Sequence, residues 1–411
     1  MDTLWEVNIR VLSPRVVVTG IGLIAGNGNN KDEFFENCCN GVSGLKKCSL
    51  FDASIFSTEY VGQIEEEFPY LTELPSDKER IQLIIEKCLV EMMKDSNLTK
   101  EYISKLGNKA YLSFATSLGN NGKIMKYMES KLKGKLEPEW LIQIPSLLPW
   151  IKDFIGIEGG CYTTTTACAA STTSVGIALD LIKSKKASLV VVGGADPLSE
   201  FSCYGFNSLR ALTKSVCKPF DEERDGINIG EGGAFLVLES LESAKERNAK
   251  IYAEILGYGI NNDAYHITSP DPKGEGAFLS MNMAIADSNK ELESIDYINV
   301  HGTGTVLNDK MELRAIQNLF QDTNKKVLVS STKSLIGHCL AAAGVIELAV
   351  TILSIHKGIC IKNINLYNEM NGYKNIELLK ENKNIKIRTA LSNNFAFAGN
   401  TASILVGSYC E

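Results

Sequence analysis

Two stretches of this 411-residue chain, ACAASTTSVGIALDLI at 167–182 and AAAGVIELAVTILSI at 341–355, place apolar residues at helical spacing. Both are also rich in Ala, Gly, Ser and Thr. A helix of small residues lets its neighbours approach closely, and a helix held between two sheets needs that. Each follows a short strand signal, GCYTTTT at 160–166 and KKVLVSSTKS at 325–334. Strands and helices alternate on either side. RVVVTGIGL, KAYLSFATS, GGAFLVLES and IYAEILGYGIN read as strands. KDEFFENCCNG reads as a helix stopped by Gly41, and the stripe Ile81, Ile84, Ile85, Cys88, Leu89 and Met92 as a stronger one, with Ser76 placed to cap it. SIDYINVHGTGT then begins a similar order of elements. The alternation implies an α/β fold with buried, largely parallel sheets, duplicated in element order rather than in sequence. The two halves, 1–257 and 258–411, are expected to pack as one body.

Composition narrows the function classes. The net charge of −7 argues against a general nucleic-acid or anionic-membrane binder, because no broad basic field exists. No apolar run is expected to span a bilayer, and the first twenty residues lack the pattern of a secretion signal. Eleven cysteines without CxxC pairs suggest free thiols in a reducing cytoplasm rather than a zinc site or a disulfide framework. No metal is expected.

Chemistry is confined to few places. Cys168 stands where a strand turns into a helix, whose first free N–H groups should favour a thiolate; packing in a core is the competing reading of that cysteine. Of four histidines, His301 and His338 lie in glycine-bearing turns after predicted strands, where α/β sheets build their sites. His356 reads as a surface residue or helix-end cation, and His266 carries no assignment. Lys333 ends a strand, and Asp309 or Glu347 could neutralise it. The stretches GTGT and GEGG lack phosphate-loop spacing.

Taken together, TACAAS, KPFDEERDGINIGEGGAFLVLE, YHITSPDPKGEGA, VHGTGT with Asp309, and SSTKSLIGHCLAAAGVIE resemble the β-ketoacyl–acyl-carrier-protein synthases, especially synthase II and the type II polyketide ketosynthases. The resemblance covers nearly the whole chain. It implies a thiolase-like fold of two similar α/β halves in α-β-α-β-α layers, and a homodimer or a heterodimer with a chain-length partner. The implied reaction is decarboxylating condensation of malonyl-acyl carrier protein with an enzyme-bound acyl chain, giving a 3-oxoacyl product in fatty-acid or polyketide elongation. Cys168 would be the acyl-accepting nucleophile, with His301 and His338 serving decarboxylation and Lys333 orienting charge beside Glu347. Asp309 would be a supporting residue. Thr303 and Thr305 would bind the pantetheine arm, and Phe397 would gate the site and complete an oxyanion hole. No cofactor would be permanently bound, the phosphopantetheine arm of the carrier protein acting as substrate carrier.

The gate departs from the family's usual glycines at Ala396 and Ala398, and from its usual Asn at Thr401. Met125 aligns with a position lining the acyl pocket. Because carrier proteins are acidic, Lys78, Arg80, Lys126, Arg210 and Lys214 are candidate docking cations. Two rivals remain at this point: a non-catalytic chain-length partner subunit, which would typically lack the nucleophile, and a thiolase-like acyltransferase acting on coenzyme A. The latter needs a second cysteine in a glycine-rich turn, a setting that Cys360 and Cys410 lack.

Overall fold

The run VVVTGIGLIA is apolar on both faces and forms strand β1 (Val16–Ala25), buried throughout. In the computed structural model, which describes residues 13–65, 79–119, 121, 128, 130–134 and 147–410, β1 lies near the middle of an eleven-stranded sheet. Two hairpin-like pairs stand apart, β2 (Leu45–Lys47) with β3 (Tyr60–Gly62) and β11 (Ile359–Cys360) with β13 (Lys383–Asn384). On one side of β1 come β7 (Gly232–Ser240), β6 (Leu189–Asp196), β4 (Ala110–Ala115) and β5 (Cys161–Thr164). On the other come β8 (Ala253–Asn262), β15 (Asn400–Gly407), β14 (Thr389–Phe395), β9 (Ile295–Asn299), β10 (Val327–Ser330) and β12 (Ile376–Leu378).

The expected duplication is visible in strand direction. From β1 outward the pairs run antiparallel to β7 and β6, then parallel to β4 and β5. From β8 outward they run antiparallel to β15 and β14, then parallel to β9 and β10. The sheet is therefore mixed, not largely parallel. A strand buried on both faces reads the same in either direction, so direction is set by the connections, which sequence runs do not reveal. The halves join where Val16–Val18 pair with Ala253–Ile255, and the 257/258 boundary falls inside β8.

Helix α1 (Lys31–Asn40) ends at Gly41 in the left-handed conformation, as its sequence predicts. Helix α2 (Arg80–Ser96) buries the predicted stripe from Ile81 to Met92 against β1, β7 and β6. Its cap is Glu79, in a reciprocal box with Gln82, rather than Ser76; Ser76 lies outside the described residues. Helices α3 (Ala170–Lys183) and α7 (Ala343–Lys357) are the two small-residue helices. α3 touches β4, β6, β8 and β15, and α7 touches β7, β14 and β15, so both lie between the halves. A Cβ at Gly344 would stand 2.2 Å from Thr172 Oγ1, which is why the crossing of these helices requires glycine. Helix α4 (Glu200–Ser208) follows β6, and α5 (Glu275–Ser288) and α6 (Val306–Leu319) cover the outer face of the second half. The result is the α-β-α-β-α layering that the resemblance implies.

One sequence expectation about membranes needs revision. Leu340–Lys357 is long and apolar enough to cross a bilayer, but 89 % of it is buried inside the protein. It is a core helix.

Candidate active site

Thr164 and Thr166 fasten the turn that carries Cys168. Thr164 Oγ1 donates to the Ala170 carbonyl at 2.8 Å, and Thr166 Oγ1 lies 3.1 Å from Thr173 Oγ1. Ala167 takes the left-handed conformation, φ 48°, and Cys168 sits in the short 3₁₀ turn leading into α3. The second half repeats the device. Leu340 has φ 50°, and Ala341 stands where the twin turn leads into α7. A non-glycine residue at such an angle is strained, so surrounding structure must hold it. Asp196 does part of this: its carboxylate accepts from Thr116 Oγ1 and from the N–H groups of Ser117, Leu118 and Ala341, each within 3.1 Å.

Burial corrects the expectation of a ready thiolate. Cys168 is 8 % exposed, and desolvation pushes its thiol up to about 11, with the Lys333 charge pulling it partly back. The thiol is protonated near neutral pH.

His301 follows β9 in a turn clasped by Glu312, whose two oxygens accept from the N–H groups of His301 and Gly302 at 2.9 and 2.8 Å. Its ring meets that of His338 edge to face, centroids 5.4 Å apart. His338 Nδ1 accepts the Leu340 N–H at 2.9 Å, so in the neutral ring Nε2 carries the proton. Burial, then the Lys333 charge, pushes His338 down to about 3 and His301 well below its ordinary value. Both imidazoles are neutral at physiological pH.

Lys333 is fully buried, and of its two candidate partners it pairs with Glu347. Asn394 Nδ2 donates to the second Glu347 oxygen at 2.7 Å, and Thr172 Oγ1 donates to Asn394 Oδ1 at 2.6 Å, tying the pair to α3. Asp309 is not a partner of Lys333. It accepts from the N–H groups of Phe220 and Gly304 and lies 3.8 Å from Arg224, so it holds the 217–226 loop against the HGTGT turn.

Cys168, His301 and His338 share one pocket of about 330 Å³, which Thr303, Thr305 and Phe397 also line. Thr303 and Thr305 hydroxyls lie 3.0 Å apart. Phe397 stacks on Phe206, centroids 5.6 Å apart, and Phe206 also leans on His338. In the gate, Ala398 has φ 60°, while Ala396 is ordinary extended backbone at φ −130°. Ala398 is held by its N–H to the Ile267 carbonyl and by Asn262 Nδ2 to its own carbonyl, both at 2.7 Å. Thr401 is buried and donates to the Gly276 carbonyl.

The docking expectations fare unevenly. Arg80 is not a surface cation; it is largely buried in an ion pair with fully buried Glu231. Arg210 and Lys214 are exposed, Arg210 on the pocket lining. Lys78, Met125 and Lys126 lie outside the described residues. His356 is exposed in the last turn of α7, as expected of a surface residue at a helix end, and its ring packs on that of Tyr252. Asp196, Glu312 and Phe206 escape sequence reasoning. Glu312 left only the faint signal of an acid one turn after Asp309.

A thiol and two neutral imidazoles on a narrow pocket, with the buried Lys333–Glu347 pair nearby, suit thioester chemistry with a developing oxyanion. The comparisons agree in kind. Residues 13–244 match the beta-ketoacyl synthase N-terminal domain, and residues 252–367 the corresponding C-terminal domain. A 3-oxoacyl-[acyl-carrier-protein] synthase 2 of Coxiella burnetii is 33 % identical over 95 % of this chain and 98 % of its own length. One from Staphylococcus aureus is 33 % identical over 95 % and 97 %. Among solved structures, a type II PKS ketosynthase in complex with its acyl-carrier protein superposes with a TM-score of 0.89 at 28 % identity, over 97 % of this chain and 100 % of that one. The ishigamide ketosynthase/chain length factor gives 0.89 at 31 % identity, with the same coverage.

Proposed function

This chain belongs to the β-ketoacyl synthase family, and from that membership and the site's geometry we propose a role for each residue in its condensation chemistry. The reaction joins malonyl-acyl carrier protein to an enzyme-bound acyl chain, releasing CO₂ and giving a 3-oxoacyl-acyl carrier protein two carbons longer. In the first step the Cys168 sulfur attacks the acyl thioester, and the thiol proton ends on the departing carrier thiol. Because the thiol is protonated at rest, proton loss accompanies the attack.

Malonyl-acyl carrier protein then enters with its arm against Thr303 and Thr305. His338 Nε2–H, aimed by the Leu340 N–H on the opposite nitrogen, donates to the malonyl thioester oxygen, and His301 assists. The C–CO₂⁻ electron pair becomes the enolate as CO₂ leaves. The enolate carbon attacks the acyl–Cys168 carbonyl, whose oxyanion rests on the N–H groups of Cys168 and Phe397. The sulfur departs and recovers a proton from solvent. Burial keeps both imidazoles neutral, and Lys333, paired with Glu347, adds to that while drawing the Cys168 thiol part of the way back towards its ordinary value. Asp309 and Glu312 position the turn that carries His301 and Thr303.

The observation that carries this reading is the convergence of Cys168, His301 and His338 in one pocket, with the His338 proton fixed on Nε2. A non-catalytic chain-length partner would not need that set. The test is incubation with acyl- and malonyl-acyl carrier protein: the expected product is the 3-oxoacyl species by mass, and its absence with a competent carrier would refute the reading. The likeness to type II polyketide ketosynthases supports a second use of the same chemistry, on a growing polyketide. We also assign the enzyme to the cytoplasm, supported by its eleven free cysteines, and a dimeric state formed with a second copy or a chain-length partner, supported by the ketosynthase/chain length factor likeness. We place no permanent cofactor in the site; the carrier's phosphopantetheine arm brings both substrates.

A further inference from the structure

Asp196 ends β6 and is fully buried, yet none of the condensation steps uses it. A carboxylate in such a place needs donors for each oxygen, and it draws them from both halves of the molecule. Oδ1 accepts from Thr116 Oγ1 at 2.8 Å and from the Ser117 and Leu118 N–H groups at 2.9 Å, all just after β4. Oδ2 accepts the Ala341 N–H at 2.8 Å, from the turn that opens α7. That last bond lies beside the chemistry. Leu340, one residue earlier, stands at φ 50°, and its N–H is the donor to His338 Nδ1 at 2.9 Å. The His338 backbone is already pinned, its N–H on the Asn228 carbonyl at 2.8 Å and its carbonyl on the Gly230 N–H at 3.0 Å. What remains to be fixed is the ring. A leucine keeps a left-handed backbone only while its surroundings hold it there, and Asp196 Oδ2 supplies a charged anchor at the next N–H.

We propose that Asp196 is a positioning residue for decarboxylation: by holding Ala341 it keeps the Leu340 N–H on His338 Nδ1, and so keeps the His338 proton on Nε2, where the malonyl thioester oxygen needs it. This deepens the condensing function proposed above and rests on it. Without the carboxylate, Leu340 relaxes toward negative φ, its N–H turns away from Nδ1, and the neutral ring takes either tautomer. The first step responds differently. Burial is what chiefly holds the Cys168 thiol protonated, and the Asp196 charge adds to it. Replacing that charge by a neutral group therefore harms the histidine step and spares the cysteine step. A residue that only held the fold together would harm both alike.

The experiment separates the two steps in Asp196→Asn, which keeps the size of the side chain and removes its charge. For CO₂ release from malonyl-acyl carrier protein, kcat should fall about ten- to a hundred-fold, with KM changed by less than about three-fold. Single-turnover acylation of Cys168 should stay within about three-fold of the parent rate or quicken. Imidazole ¹⁵N shifts give a readout independent of turnover. The chain has four histidines, and the His338 signals are those lost in His338→Gln. In the parent, Nδ1 should resonate as an unprotonated acceptor and Nε2 as a protonated nitrogen. In Asp196→Asn the two shifts should converge as the other tautomer fills. Should that variant fail to fold, Thr116→Val, which removes one donor from the carboxylate, should show the same pattern at about two- to five-fold. Decarboxylation at the parent rate, a loss that acylation shares equally, or unmoved His338 shifts would overturn the role of Asp196. A parent protein that neither acylates nor releases CO₂ would refute the condensing function instead, and the His338 shifts would still report whether Asp196 sets the tautomer.

Discussion

Lys333 and Glu347 form an ion pair in which each side chain is only 1 % exposed, with Asn394 Nδ2 on the second carboxylate oxygen at 2.7 Å. Removing one partner leaves the other charge buried and uncompensated. Glu347→Gln should therefore destabilise the fold by about 3–5 kcal/mol. The double variant Lys333→Met/Glu347→Leu should recover most of that stability in urea unfolding, yet condense poorly. A Glu347→Gln protein as stable as the parent would mean the pair is not formed.

The histidines should separate from the cysteine kinetically. His301→Ala and His338→Ala should still form the acyl enzyme but lose condensation by on the order of 100-fold or more, the usual cost of removing one donor from an oxyanion site. Single-turnover acylation and steady-state product formation, measured on the same variants, resolve the two steps. Either variant condensing at near the parent rate would remove that histidine from the mechanism.

Acid should weaken the fold through His338. Its ordinary value is 6.5 and burial lowers it to about 3 in the folded protein, so between those values the unfolded chain binds the proton and the folded chain does not. The stability from keeping it neutral is complete above pH 6.5 and is lost as pH falls through that window. Glu312, raised to about 7, acts in the opposite sense, so the measurement must be differential. Between pH 7.5 and 5 the parent should lose roughly 2 kcal/mol more than His338→Gln. Equal losses would place a proton on His338 already in the folded state.

The two gate alanines should behave differently, because only Ala398 has a positive φ. Ala398→Gly relieves a left-handed alanine and should hold or raise stability by up to about 1 kcal/mol. Ala396→Gly only adds freedom to the unfolded chain and should lower stability by about 0.5–1 kcal/mol. Acylation rates across short, medium and long chains should broaden for Ala398→Gly alone. Identical profiles for both would detach Ala398 strain from gate motion.

What the sequence conveyed and what it hid follow one physical division. The roles proposed for Cys168, His301, His338 and Lys333 were legible because each sits in a short local turn with its own composition. Asp196 and Glu231 were not, because they act on backbone N–H groups or cations far along the chain; Glu231 meets Arg80 across 151 positions. Arg80 read as a solvated cation for the same reason. The helix start of Cys168 favours a thiolate in the local sequence, but its burial between the two halves adds a desolvation that no local signal records. Strand direction stayed hidden because buried strands carry no alternation that records it.

The central claim is that Cys168 alone accepts the acyl chain. Brief incubation with acyl-carrier protein, an acid quench, and peptide mapping by mass spectrometry measure this directly across all eleven cysteines. A single acyl adduct is expected, on the peptide containing Cys168, which disappears when malonyl-acyl carrier protein is added. An adduct on any other cysteine that turns over on that addition, or full condensation by Cys168→Ala, would contradict it.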